Sequence, residues 1–289
     1  MTSIIRLFLL AIGILPLSVA RALGALVGQL AWWFNSRGSV TAVRNLEVCM
    51  PELDKKAIRK LAASSMRHWG KTLFETPVVW HRGQRAFKYI NQIQGVEYLD
   101  AAIEQGKGVI FVSPHLGNWE LMGLWAGSKG SLTSLYQPPR RYNVDELLQA
   151  VRTKTGATLV PTNARGIAQL IKALKRGEFV GILPDMEPRP KGGIYAPFFG
   201  QPALTMTLIH SLVQRSGAVV ILCFAQRIPG GFTLVMMPPG EDIASDDAET
   251  SIAEMNRTIE RLVRLSPEQY QWEYKRFKRR PEGEPPIYG

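Results

Sequence analysis

His115 and Glu120 stand five residues apart in residues 109–125 (VIFVSPHLGNWELMGLW), and a histidine beside a carboxylate suits proton transfer. A carboxylate that holds one imidazole nitrogen leaves the other as a general base near neutral pH. On one continuous helix the two side chains would point about 140° apart, at roughly 100° per residue, and would not meet. A strand, a tight turn and a helix start in succession bring them together. Residues 109–112 are apolar and β-branched or aromatic, as a buried strand requires, and Pro114 ends the ladder because it has no N–H to donate. Gly117 or Asn118 then caps a helix starting at Trp119. His115 thus leaves the carboxyl end of a central strand, where open α/β sheets keep their sites. Two plainer readings stand beside this one: Glu120 as an N3 capping carboxylate, and His115 as a hydrogen-bonded structural group.

Other polar groups follow later strands. Residues 184–193 (PDMEPRPKGG) combine turn formers and charges, and such a loop suits a polar headgroup. Asp185, Arg189 and Lys191 are its candidate contacts, with Asn118 a further substrate-binding candidate, although Asp185 also fits a turn in which it bonds its own backbone. Phe198 and Phe199 suit either the core or an acyl-chain pocket. In the tail, Trp272, Tyr274 and Phe277 interleave with Lys275, Arg276, Lys278 and Arg280, a pattern that could stack bases. No nucleic-acid module accompanies it, so an anionic lipid or carrier fits better and no nucleic-acid partner is expected. There is no GxSxG elbow, Walker loop or GxGxxG fingerprint. His68, His81 and His210 lack ligand spacing, so no catalytic metal is expected.

These side chains need a scaffold. From residue 89 strands (89–93, 109–112, 132–136, 158–160, 179–183, 219–225, 232–237) alternate with helices (96–104, 119–128, 144–153, 166–175, 204–215). The pattern predicts an α/β fold, a mostly parallel sheet flanked by helices on both faces, with an antiparallel hairpin at Gly230-Gly231 and a last helix over 248–265. Residues 40–50 and 55–81 read as helices, the second capped by Asp54 and carrying a basic outer face that includes Lys55, Lys56, Arg59 and Lys60. At the amino terminus, 7–20 and 22–34 are uncharged and split by Arg21. Neither run reaches the ~20 residues of an upright span, so the segment either spans by including Arg21 or lies in the interface. Trp32-Trp33 reads as an interfacial anchor, and apolar sequence resuming after Arg21 argues against signal cleavage. Residues 1–34 are therefore expected to form an N-terminal membrane anchor and 35–289 the folded domain. A net charge of +11 favours an anionic partner. Cys49 and Cys223 form no CxxC pair, which predicts buried thiols in a reducing compartment.

The hexapeptide HLGNWE (115–120) resembles the His-x4-Asp/Glu signature of glycerolipid-type acyltransferases, in the form carried by the bacterial lipid A late acyltransferases, the lauroyl and myristoyl transferases. Arg44-Asn45-Leu46 with Met50-Pro51-Glu52-Leu53, Leu183-Pro184-Asp185, residues 196–200 (APFFG) with Ala203 and Thr205, and residues 267–272 (PEQYQW) with Arg276-Phe277-Lys278 and Arg280-Pro281 are similar to that family in the same order. The resemblance covers nearly the whole chain. It implies an inner-membrane enzyme whose catalytic domain faces the cytoplasm, transferring a fatty acyl chain from acyl-acyl carrier protein to a hydroxyl of a lipid A precursor. Acyl carrier protein enters as co-substrate and partner, and no cofactor is implied. His115 would be the base and Glu120 its support. Arg152, on residue type alone an ordinary solvated helical arginine, occupies the place of a family arginine that engages the donor and offsets developing negative charge. Two alternatives remain at this point: the same chemistry on another phospholipid or aminolipid, and a membrane-tethered module that binds lipid or carrier protein without catalysis.

Overall fold

The computed structural model describes residues 2–136 and 157–288. Among these, helices α1 (Thr2–Gly13), α2 (Leu17–Trp33), α3 (Arg37–Cys49) and α4 (Lys55–Arg82) precede the sheet. There follow β1 (Ile90–Gln94), α5 (Val96–Glu104), β2 (Val109–Val112), α6 (Trp119–Lys129), β3 (Leu132–Tyr136), β4 (Ala157–Pro161), α7 (Ala164–Lys175) and β5 (Phe179–Ile182). The chain closes with β6 (Gly193–Phe198), β7 (Gln201–Met206), α8 (Leu208–Ser216), β8 (Val219–Ile228), β9 (Gly231–Met237) and α9 (Ala248–Leu265). The helix expected over 144–153, and Arg152 within it, lie outside the described residues.

The seven-stranded sheet runs β1-β9-β8-β2-β5-β3-β4, parallel throughout except for the β8–β9 hairpin. This is the expected α/β layout. All four residues of this central strand, β2, are buried because helices cover the sheet on both of its faces here. The strand period of two divides the core. Ile110 and Val112 join Val180, Ile182, Leu222 and Phe224 on one side, while Val109 and Phe111 join Phe179, Ile221 and Cys223 on the other. Cys49 and Cys223 are both buried and unpaired.

One stretch departs from expectation. Residues 204–206, read as a helix start, belong to β7, and α8 begins only at Leu208. β6 and β7 form a separate antiparallel hairpin whose register sets Pro197 opposite Pro202. Two prolines disguise the strands, and the turn is made by Phe199 and Gly200, both with positive φ, rather than by a familiar Asn-Gly pair.

The amino-terminal segment is broken at Pro16 into two helices. No helix among the described residues is long and apolar enough to cross a membrane; α2 with α3 reaches that length only as a pair bent by 80°. α2 lies along α4 at very short range. A Cβ on Gly24 would stand 2.3 Å from the Gly70 carbonyl oxygen, and one on Gly28 would stand 2.0 Å from that of Met66, so only glycine fits either place. The face of α2 that meets α4 is thus small, and its larger apolar residues, among them Leu23, Leu26, Leu30 and Trp33, stay exposed.

Arg21, which splits the apolar run in sequence, turns inward. Its Nε donates to Glu75 Oε1, and its Nη1 and Nη2 donate to the carbonyls of Ile228 and Gly231, each at 2.8 Å. Arg227 of β8 grips the same carboxylate through Nε at 2.8 Å and Nη2 at 2.7 Å. Burial alone would raise the Glu75 pKa, but the charges and hydrogen bonds of the two arginines outweigh it and hold the carboxyl below its usual value. Replacing Glu75 by Leu would leave two guanidinium groups in the interior without their carboxylate, and a loss of about 3–5 kcal/mol is expected. Denaturant unfolding of the detergent-solubilised protein measures it; an unchanged midpoint would show that the arginines find other partners.

Candidate active site

β2 and β5 are parallel neighbours, with Val112 opposite Ile182. Three residues beyond that pair, each chain has passed a proline, Pro114 or Pro184, and presents a titratable side chain, His115 or Asp185. The in-register exits bring the two together. The imidazole Nδ1 lies 2.8 Å from Asp185 Oδ1, and the His115 backbone N–H donates to Asp185 Oδ2 at 2.7 Å. The carboxylate hydrogen-bonded to the imidazole is therefore Asp185, expected from sequence as a headgroup contact, and not Glu120. Glu120 stands on the same cavity walls, accepts the Trp80 indole N–H at 2.9 Å, and acts on His115 through its charge.

The loop between His115 and α6 is clamped on three sides. Gln271 N–H donates to the His115 carbonyl at 3.1 Å, Gly117 N–H to the Gln269 carbonyl at 3.2 Å, and Asn118 N–H to the Ala225 carbonyl at 2.9 Å. Gly117 has φ +61°, and a Cβ there would sit 2.1 Å from the Ala225 oxygen, so a side chain is excluded on both counts. Asn118 is fully buried rather than open to substrate. Its Oδ1 caps α6 by accepting from Leu121 N–H at 3.0 Å, and its Nδ2 donates to Glu75 Oε2 at 3.3 Å.

Two cavities share the wall that carries His115. The larger, about 830 Å³, is lined by apolar residues such as Leu10, Phe111, Leu132, Leu159 and Leu208. The smaller, about 370 Å³, is walled by Trp69, Leu73, Tyr270, Gln271 and Glu273 among others. His115, Trp119, Glu120, Trp80, Pro77 and Leu9 border both. The His115 side chain keeps 15% of its surface exposed, whereas Asp185 keeps 3%. One carboxylate thus holds the ring from behind while the ring reaches open space.

The remaining sequence candidates fall elsewhere. Arg189 and Lys191 are exposed and line neither cavity. Phe198 and Phe199 are core residues, in an edge-on contact with ring centres 4.9 Å apart, and line neither of these cavities. The tail is not a stacking platform: Trp272 and Phe277 are buried, and Arg276 donates to the Leu204 carbonyl at 2.7 Å and Thr205 Oγ1 at 2.6 Å. Sequence reasoning missed Glu75, Arg227 and Glu273. Glu75 and Arg227 bury each other through a contact distant in the chain, Glu273 buries its carboxyl in the lining of the smaller cavity, and no local spacing announces either.

A family model described as bacterial lipid A biosynthesis acyltransferase matches residues 1–279. The chain belongs to that family. It is 32% identical over 277 residues to the lipid A biosynthesis lauroyltransferase of Escherichia coli (strain K12), covering 95% of this chain and 90% of that one. To the lipid A biosynthesis palmitoleoyltransferase of the same organism it is 31% identical over 278 residues, with 95% and 90% covered. To its lipid A biosynthesis myristoyltransferase it is 24% identical over 265 residues, with 90% and 81% covered. As a member of the lipid A biosynthesis acyltransferases the protein is an enzyme that transfers acyl groups, and its paired cavities are to be understood in that light.

Burial by itself lowers the His115 pKa, but the Asp185 charge and hydrogen bond, with smaller help from Glu273 and Glu120, reverse this and raise it above the ordinary value. Burial likewise opposes ionisation of Asp185, yet the His115 charge, hydrogen bonds to the ring and its N–H, and the Arg276 charge bring that carboxyl below its usual value. The His115 contribution to stability is complete below about 6.5 and is lost as pH rises through the raised folded pKa. The Asp185 contribution is complete above about 3.9 and is lost as pH falls through the lowered one. Asp185→Asn removes the principal raising interaction and leaves burial, so the His115 titration, followed by its Cε1–H NMR shift, is expected to move to lower pH. An unmoved titration would mean that this carboxylate does not support the ring.

Proposed function

We propose that the protein transfers a fatty acyl chain from acyl-acyl carrier protein to a hydroxyl of a lipid A precursor, a secondary acylation in lipopolysaccharide biosynthesis. The observation that carries this reading is His115, braced through Nδ1 by Asp185 at 2.8 Å and set in the wall between two cavities. With Nδ1–H donating to Asp185, Nε2 is the basic nitrogen. It takes the proton of the acceptor hydroxyl as the oxygen attacks the thioester carbonyl carbon. The tetrahedral oxyanion collapses, the C–S bond breaks, and the imidazolium returns the proton to the leaving thiolate. An ester and a free thiol result, with no covalent acyl-enzyme. Glu120 supports the imidazolium through its charge. The amino end of α6 and Arg152 are assigned to the oxyanion, Arg152 on the sequence resemblance alone.

The larger cavity is assigned to the donor's acyl chain. Its apolar lining supports that choice. Residues 1–34 are assigned to attachment at the cytoplasmic face of the inner membrane, with 35–289 as the catalytic domain facing the cytoplasm. The support is the inverted packing of α2, small residues inward and large apolar residues outward, together with exposed Leu7, Phe8 and Leu10 on α1 and Ile14 just beyond it. Leu9 and Leu10 also line the larger cavity, so α1 contributes to both the apolar surface and the cavity wall.

His115→Ala is expected to leave the fold intact and reduce acyl transfer by about 10²- to 10⁴-fold, the usual worth of a general base. Asp185→Asn and Glu120→Gln are expected to reduce it by smaller factors. Mass analysis of lipid A from cells with and without the gene, and of membranes incubated with acceptor and donor, reads the outcome. Transfer near the wild-type rate by His115→Ala would end the assignment. Chain-length choice gives a second test. A Cβ on Gly123 meets nothing within 4 Å, and Gly123 lines the larger cavity. Gly123→Leu should therefore retain or improve helix stability while disfavouring long acyl donors against short ones in a mixed-donor competition. An unchanged chain-length profile would place the acyl chain elsewhere.

A further inference from the structure

Glu273 is a buried titratable group with no part in the acyl-transfer steps. Both of its carboxyl oxygens are buried, and neither has a hydrogen-bond partner among the described residues. The same holds for Gln271 Oε1. Buried polar atoms are almost always satisfied, by protein, water or ligand, because an unpaired one forfeits its hydration without replacement. Both residues line the smaller cavity together with His115, and the Gln271 backbone N–H donates to the His115 carbonyl. Four aromatic residues, Trp69, Trp80, Trp119 and Tyr270, share that lining. At about 370 Å³ the space falls within the roughly 300–1,000 Å³ range of small-ligand pockets.

We propose that the smaller cavity is the acceptor-headgroup site, where Glu273 and Gln271 hydrogen-bond the hydroxyl and amide edge of a sugar headgroup while the aromatic rings cover its C–H face. The inference rests on the acyl-transfer reading above and deepens it by allotting the two cavities to the two substrates. Buried acceptor oxygens without partners, set in the same lining as apolar rings, match a ring that is polar at its rim and apolar on its faces. Burial pushes the Glu273 carboxyl up to about 7, against the opposing pull of its own backbone N–H and then of the Gln271 side chain, neither of which reaches hydrogen-bond geometry. Near neutral pH the group therefore offers an O–H donor as well as acceptor oxygens.

The test uses the full chain in detergent or membranes, with steady-state rates measured while acceptor and donor concentrations are varied in turn. Glu273→Leu is expected to fold with an undiminished melting temperature, because it removes an unpaired buried carboxyl. It should raise the acceptor KM by about tenfold or more while leaving the donor KM unchanged. Glu273→Gln, which keeps donor and acceptor atoms, should recover part of that loss, and Gln271→Ala should show the same acceptor-side pattern. Glu273→Leu with both KM values and kcat within about twofold of wild type would overturn the proposal. So would an equal rise in both KM values. The two levels separate cleanly: an inactive His115→Ala beside a normal Glu273→Leu refutes only the headgroup site, whereas an active His115→Ala refutes the underlying chemistry.

Discussion

The fold and the site both depend on one carboxylate that water does not reach. Glu75, on α4, is held by Arg21 of α2 and Arg227 of β8, and it receives the side-chain amide of Asn118 at the start of α6. Three helices and the carboxyl end of an inner strand are thereby fixed to a single point. Such a cluster is a poor source of net stability, since desolvating its charges costs about as much as their attraction returns. Its value is geometric. The carboxylate has donors only when α2, β8 and the capping loop are all in place, so few alternative packings satisfy it. Arg227 also reaches His68 Nδ1 at 3.0 Å and Thr72 Oγ1 at 2.8 Å, and burial, with nearby positive charges, pushes the His68 pKa down to about 3. A neutral imidazole accepts from Arg227 without adding a further cation to the interior.

That arrangement explains why Arg21 reads so differently in one dimension and in three. In sequence it interrupts an apolar stretch and looks like a defect in a membrane span. In the fold it joins the amino-terminal helices to the β8–β9 turn and, through Glu75, to the His115 loop, and its guanidinium lies 4.6 Å from the Phe232 ring centre. The same helix presents small residues to α4 and large ones to the outside. Both observations make α2 a fixed part of the enzyme body that still exposes an apolar surface.

Much of the architecture was legible because its signals are local. β2 declares itself by four apolar residues ended by a proline, α4 by its Asp54 cap at 2.7 Å from Ala57 N, and the final hairpin by its glycines. The β6–β7 hairpin was not legible, because its strands carry opposed prolines and its turn uses Phe199. The site was half legible for a related reason. Pro114-His115 and Pro184-Asp185 each follow a strand, and both were visible, but nothing in the sequence says that β2 and β5 are neighbours in register. Glu120 lies close to His115 in sequence, whereas Asp185, which is hydrogen-bonded to the ring, lies 70 residues away. Residues 269–271, recognised only as part of a family motif, turn out to be the strap that holds the His115 loop by its backbone.

Placement of the imidazole between two cavities bears directly on why the reaction would be transfer rather than hydrolysis. A base in an open cleft activates whatever hydroxyl arrives, and water is the most abundant. Here the ring is largely enclosed, bordered by Trp80 and Trp119, whose ring centre lies 4.9 Å from that of His115. Filling the larger cavity with an acyl chain removes water from one side, and an acceptor in the smaller cavity removes it from the other. Proximity then does what a stronger nucleophile would otherwise have to do, since oriented reactants gain several orders of magnitude in effective concentration. On this view the aromatic border matters as much as the Asp185–His115 pair. In the proposed reaction the pair would supply the base, and the border would determine which hydroxyl the base meets.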